Sequence, residues 1–221
     1  MLWRRLFYQV VSDILKIMTL DEEKAAFRKN AIKARAVVAG AANENAAEAL
    51  AENLRKLVAE RGAERGAERG AEIAVSGFLA IGDEIDLTPA LKAFHDAGLK
   101  CCLPVVLGNG QALIFRQWQP TGGLEKGPLG TRHPGPENAE VTPDVVLVPL
   151  LAYDTDGHRI GWGGGFYDRT LAALGRHGEV LAVGVAYEGQ RAERVPRGPN
   201  DVALDYVVTE VAIHKIGQGA D

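Results

Sequence analysis

Residues 159–169 read RIGWGGGFYDR, which puts four glycines into the five positions from Gly161 to Gly165, directly before the helix-like run FYDRTLAAL. Glycine gives up more backbone freedom on ordering than any other residue, so a cluster this dense needs a reason. One reason is chemical. Closely spaced glycines let backbone N–H groups approach an anion, and a following helix N-terminus adds a favourable dipole. Arg159 places a cation at one end of the loop, and Tyr167 and Asp168 place a phenol and a carboxylate at the other. Trp162 and Phe166 offer faces on which a flat ligand can stack, and a carboxylate there is a hard ligand for a divalent cation. Neither common phosphate loop is present: G-x-x-x-x-G-K-[ST] is absent, and G-W-G-G-G-F does not fit G-x-G-x-x-G. The plain alternative is a tight strand-to-helix connection that binds nothing.

A loop of this kind works only if a strand delivers it and a helix receives it, since α/β sheets bind ligands beyond the carboxyl ends of their strands. DVVLVPLLAYD is the delivering strand and FYDRTLAALG the receiving helix. EIAVSGFLAI, CCLPVVL, ALIFRQW, EVLAVGVAYE and, as the last strand, LDYVVTE have strand character, and DLTPALKAFHDAG reads as a helix closed by Gly98. The alternation predicts an α/β fold with a mainly parallel central sheet flanked by helices, in a single domain. Near the start, Thr19 precedes Asp21, Glu22 and Glu23, the signature of a capped helix. Lys24 and Arg28 lie four apart in it and project from one face. A second helix is predicted over 46–60, and the RGAERGAERGAE repeat after it reads as a solvated helix extension or loop. Residues 119–144, rich in Gly and Pro, read as a long loop. The domain is expected over 19–213, with a tail at 214–221. Residues 1–18 are expected to be an amphipathic helix or a stretch upstream of a start at Met18.

Composition excludes several classes. A net charge of −4 over 221 residues argues against a general nucleic-acid binder. The cysteines are two, Cys101 and Cys102, adjacent within an apolar strand. That spacing suits buried small residues rather than a disulfide framework or a zinc site, and it points to a reducing, cytoplasmic setting. The opening MLWRRLFYQVVSDILKIMTL is interrupted by Gln9, Ser12, Asp13 and Lys16, so it reads neither as a signal peptide nor as a membrane span. No nucleophilic triad is evident. His95, His158, His177 and His214 read as surface or packing residues.

The motif R-I-G-W-G-G-G-F-Y-D-R resembles the signature of the 5-formyltetrahydrofolate cyclo-ligase family, also called 5,10-methenyltetrahydrofolate synthetases. K-A-A-F-R matches that family's Lys-x-x-x-Arg, and G-D-E-I-D-L-T-P resembles its Glu-x-Asp-Thr segment with one residue inserted before Thr88. V-L-V-P-L-L-A-Y-D and N-D-V-A-L-D-Y-V-V-T-E match in order, so the resemblance runs from about Leu20 to Glu210. It implies an ATP- and Mg²⁺-dependent conversion of 5-formyltetrahydrofolate to 5,10-methenyltetrahydrofolate, through a phosphorylated formyl intermediate, releasing ADP and phosphate. It implies that Lys24, Arg28, Arg159, Gly161, Gly163, Gly164, Gly165 and Tyr167 bind the nucleotide. Leu79, Glu84, Trp162, Gly163, Gly164, Gly165 and Phe166 then face the folate, Asp168 and Asp201 hold Mg²⁺, and Lys24, Arg159 and Asp168 are catalytic.

From the residues alone, Lys24 and Arg28 are equally ordinary helix charges, Leu79 core, Asp168 a first-turn acid and Asp201 a turn residue. The chain departs from the common family pattern at Arg132-His133-Pro134, where Glu-Pro is frequent, and at Asn200-Asp201-Val202, where His-Asp-Val is frequent. The alternatives are a related ATP-using enzyme acting on another formylated or amide metabolite, and a non-catalytic folate- or nucleotide-binding relative. The expected assembly is a monomer or weak homodimer, with no nucleic-acid or membrane partner.

Overall fold

The computed structural model describes residues 18–69, 73–176 and 178–217. The readings made for residues 1–17, His177 and residues 218–221 lie outside the described residues. Among the described residues, four α-helices and eleven strands follow in chain order: α1 (Leu20–Ala41), α2 (Ala46–Arg69), β1 (Ala74–Ser76), α3 (Thr88–Asp96), β2 (Lys100–Val105), β3 (Ile114–Gln117), β4 (Glu125–Lys126), β5 (Arg132–His133), β6 (Val145–Pro149), β7 (Ala152–Tyr153), β8 (Arg159–Ile160), α4 (Phe166–Leu174), β9 (Leu181–Val185), β10 (Tyr206–Val208) and β11 (Ile213–Lys215).

Seven of the strands form the central sheet in the order β11-β10-β9-β6-β1-β2-β3. The inner pairings are parallel, and only the two outer pairs, β10–β11 and β2–β3, are antiparallel. The single α/β domain with a mainly parallel sheet expected from the sequence is therefore borne out. β6 explains why. Its VVLV run sits between β1 and β9 and is buried on both faces, which is why it reads as a continuous apolar stretch. Alternate side chains point to opposite faces. Val145 and Leu147 join Leu50, Leu54, Leu91 and Phe94 from α2 and α3. Val146 and Val148 join Phe115, Tyr153 and Leu171 on the side of α4.

A third, smaller cluster matters most for function. Ala31 of α1, flanked by Phe27 and Ile32, packs on Leu151, Ala152 and Ile160 of the β7–β8 hairpin and on Val195. The hairpin sits just past the carboxyl end of β6, so α1 is docked over the exit of the central strand. The helix starts with a full capping box, in which the Thr19 hydroxyl accepts from the Glu22 amide and the Glu22 carboxylate accepts from the Thr19 amide.

Several sequence expectations are corrected. DVVLVPLLAYD is two strands, because the chain bends at Leu150 and Leu151, whose carbonyls both accept from Gln190 Nε2 at 2.9 and 3.1 Å. The strand expected across 72–81 is confined to Ala74–Ser76. Of the two readings of the RGAE repeat, helix extension and loop, the first holds as far as Arg69, the last described residue of α2, with Arg61 paired to Glu179 at 3.3 Å; residues 70–72 lie outside the described residues. The long loop at 119–144 contains the β4–β5 hairpin. LDYVVTE is not the last strand. Thr209 Oγ1 accepts from the amides of Val211 and Ala212 at 3.2 and 3.1 Å, and this side-chain turn folds β11 back onto β10, across the boundary expected at 213.

Cys101 and Cys102 are free and buried, as expected. Burial pushes the Cys101 thiol up to about 12 and Cys102 higher still, so neither is a nucleophile. No helix among the described residues is long and apolar enough to cross a membrane.

Candidate active site

The β7–β8 pairing sets Arg159 opposite Tyr153, with Ile160 buried beneath α1, and so aims the following glycines away from the hairpin. Gly163 (φ 96°) and Gly165 (φ 64°) occupy the left-handed region that only glycine adopts freely, which explains two of the four glycines directly. Gly165 then opens α4. In the first turn, Asp168 Oδ1 accepts from Arg159 Nη2 at 2.6 Å and from the Val202 amide at 3.2 Å. Arg159 Nη1 donates to the Val202 carbonyl. One closed tie thus fastens the C-terminal segment to the glycine loop.

The neighbouring residue, Asp201, accepts from Lys24 Nζ and from the Gly198 amide, the latter at 2.7 Å. Burial pushes its carboxyl up, but the Lys24 hydrogen bond, the Gly198 amide and the charges of Lys24 and Arg159 outweigh that and hold it below its ordinary value. One turn further along α1, Arg28 Nε donates to the Gly161 carbonyl at 2.8 Å. Residues scattered from 24 to 201 therefore form one cluster: Lys24, Arg28 and Arg159 as cations, Asp168 and Asp201 as carboxylates, and the glycine backbone between them.

A second group flanks it. Glu84 Oε1 accepts from Trp162 Nε1 at 3.3 Å and from Arg35 Nη1 at 3.4 Å, while Oε2 accepts from the Ile81 amide at 2.9 Å. Trp162 is 54% exposed. Tyr167 joins the two groups: burial raises its phenol, the Glu84 charge adds to that, and Arg159 opposes it. Leu79 is half-buried against the larger core, and Phe166 packs into the second core with Arg169 over its ring at 5.3 Å. Leu87, the residue beside the apparent insertion, is fully buried and leaves the Asp86-to-Thr88 turn intact at 2.9 Å.

A model of the 5-formyltetrahydrofolate cyclo-ligase family matches residues 20–210. The chain belongs to that family. It is 36% identical over 143 residues to the 5-formyltetrahydrofolate cyclo-ligase of Escherichia coli K12, covering 61% of this chain and 76% of that one. It is 33% identical over 142 residues to the cyclo-ligase of Mycolicibacterium smegmatis, covering 61% and 72%. An NMR structure of the 5,10-methenyltetrahydrofolate synthetase of Aquifex aeolicus superposes with a TM-score of 0.63 at 28% identity, over 90% of this chain and 95% of that one. The cyclo-ligase resemblance, and with it the expectation of an enzyme, is borne out.

For a cyclo-ligase family member, three features went unread in the sequence. Arg35 is the first. The second is His158, read as a lone histidine. It bonds Asp154 Oδ2 through Nδ1 at 3.3 Å and Arg197 Nη1 through Nε2 at 3.0 Å. A guanidinium only donates, so Nε2 accepts and the ring proton sits on Nδ1, towards Asp154. His158, Arg197, Gly198 and Asp201 line a cavity of about 430 Å³. The third is His214, which lies 2.7 Å from Glu188 Oε2. His133 is buried, with Nδ1 3.1 Å from the Pro134 carbonyl.

The Glu188 cluster carries a pH prediction. Burial pushes its carboxyl up, but hydrogen bonds from His214 and Thr209 and the charges of His214 and Arg191 hold it below the ordinary 4.5. A carboxyl lowered on folding stabilises the fold above its ordinary value, and that contribution is lost as pH falls through the lowered one. Glu188→Gln is therefore expected to shrink the fall in Tm on acidification below pH 4.5. An identical fall in both proteins contradicts the assignment.

Proposed function

We propose that this chain closes 5-formyltetrahydrofolate to 5,10-methenyltetrahydrofolate, driven by ATP. The observation that supports this most is the convergence of Lys24, Arg28 and Arg159 on the glycine loop, with Asp168 and Asp201 interleaved. Three cations around exposed backbone amides suit a polyphosphate; Asp201 holds Lys24, Asp168 holds Arg159, and the Gly161 carbonyl holds Arg28. The formyl oxygen attacks the γ-phosphorus and ADP leaves. The neighbouring folate amine then attacks the activated formyl carbon, loses its proton, and expels phosphate carrying the former formyl oxygen. An amide oxygen is a poor leaving group until it is phosphorylated, so the transfer step asks the protein for positioning and charge neutralisation. Lys24 and Arg28 hold the phosphates from α1, and Arg159 steadies the transferring group. Glu84, Trp162 and Leu79 take the folate, with Phe166 and Tyr167 behind the loop.

Asp168 and Asp201 are the residues that would hold Mg²⁺, and their hard oxygens suit it. Among the described residues no group of three or more His, Cys, Asp or Glu is gathered to hold a metal. Two carboxylates would leave the remaining positions of such an ion to phosphate and water, the usual habit of magnesium. When bound, it neutralises phosphate charge. The assembly we propose is a monomer or weak homodimer. The buried free thiols support a cytoplasmic setting.

The test is to mix the purified protein with 5-formyltetrahydrofolate, Mg²⁺ and ATP, following methenyl-folate absorbance and ADP together. A rising band matched one-to-one by ADP is expected. Folded protein that binds ATP yet gives a flat trace overturns the reading.

A further inference from the structure

We propose that Arg35 is a positioning residue for the folate half of the site, acting through Glu84 and Trp162. This rests on the function proposed above and assigns a residue that the motifs leave without a role.

Arg35 is 2% exposed. A buried cation is costly unless it is well paired, and an apolar residue of similar volume usually serves stability better. Its pairing is incomplete. Nη1 reaches Glu84 at a long 3.4 Å, and Nε is buried with no hydrogen-bond partner among the described residues. What it does have is the indole of Trp162, whose ring centroid lies 5.2 Å from the guanidinium carbon. Trp162 in turn donates to the same Glu84 oxygen that Arg35 contacts, at 3.3 Å. Arg35, Glu84 and Trp162 close a triangle that joins α1, the loop after β1, and the glycine loop. Such a group is explained by what it orients rather than by what it stabilises.

The helix supplies the second argument. Positions 24, 28 and 35 share one face of α1, because eleven residues complete almost a whole number of turns. Lys24 and Arg28 serve the phosphate cluster, and Arg35 stands about 16 Å beyond Lys24 and about 10 Å beyond Arg28 on the same face, at 1.5 Å per residue. One rigid element thereby spaces the nucleotide group from the folate group. The guanidinium lies against the indole while Trp162 remains 54% exposed, which leaves indole surface for a flat bicyclic ring to stack on.

The experiment compares Arg35→Met, which keeps the packing, with Arg35→Lys, which restores the charge without the planar fork. KM for 5-formyltetrahydrofolate is expected to rise about tenfold or more in Arg35→Met while KM for ATP changes less than about twofold, with partial recovery in Arg35→Lys. Quenching of tryptophan fluorescence by 5-formyltetrahydrofolate without ATP gives the same comparison when turnover is not measured. Equal rises in both KM values, or an unchanged folate KM, overturn the proposal. If Arg35→Met does not fold, Arg35→Lys with wild-type folate KM and wild-type quenching overturns it too. A wild-type protein that binds the folate but does not turn it over defeats the proposed function and leaves Arg35 testable by quenching. A wild type that does not bind the folate defeats both.

Discussion

Asp168→Ala is expected to lower kcat by about 10²- to 10³-fold, the scale on which loss of one preorganised electrostatic group acts. Asp168 holds Arg159 at 2.6 Å and the Val202 amide at 3.2 Å, so removing it frees both the cation and the C-terminal segment that carries Asp201. Its stability cost is smaller. The Arg159 side chain is nearly buried at 6% exposure, but Asp168 is 27% exposed and screened by water. We expect about 1–2 kcal/mol, read as a Tm loss of roughly 2–8 °C in a domain of this size. Asp168→Asn separates the two effects, because it keeps the shape and an acceptor for Val202 while losing the charge. It should be nearly as inactive as alanine and closer to wild type in Tm. Near-normal turnover in Asp168→Asn shows that the carboxylate is only a structural peg.

Gly163→Ala is expected to weaken ATP binding by about tenfold or more, or 1.4 kcal/mol, with the fold retained. Two independent features combine here. The backbone has φ 96°, which disfavours any side chain, and an added Cβ would sit 3.0 Å from Arg28 Cζ and 3.1 Å from Nη2. Relief requires the Arg28 guanidinium to shift, which strains its 2.8 Å bond to the Gly161 carbonyl. Loop strain and displacement of a phosphate cation thus arrive in one substitution. Gly161→Ala is the graded comparison: its Cβ would meet nothing within 4 Å, so it should cost less. Isothermal titration with ATP measures both. Equal affinities in Gly163→Ala and wild type would remove the glycine loop from the nucleotide site.

What the sequence discloses follows from how local the cause is. The glycine loop is legible because positive φ at Gly163 and Gly165 demands glycine whatever surrounds it. The strand β6 is legible because burial on both faces leaves an unbroken apolar run. The cap at Thr19 is legible because its partner Glu22 lies three residues away. By contrast, β7, β8 and β11 are two or three residues long, too short for any periodicity to show. The Arg35–Glu84 pair spans 49 residues and the His158–Arg197 contact 39. Nothing in the neighbouring sequence signals either one, since each exists only after α1 and the C-terminal segment have docked. Asp168 and Asp201 were legible through the family motif, but their ties to Arg159 and Lys24 were not.

We propose that α1 and the glycine loop deliver the γ-phosphate of ATP to the formyl oxygen of the folate. It is tested most directly by turning over 5-formyltetrahydrofolate labelled with heavy oxygen in its formyl group and weighing the released phosphate. One labelled oxygen is expected in each phosphate, equal in amount to the methenyl product, with none in water. Unlabelled phosphate, with the heavy oxygen recovered in water, contradicts it.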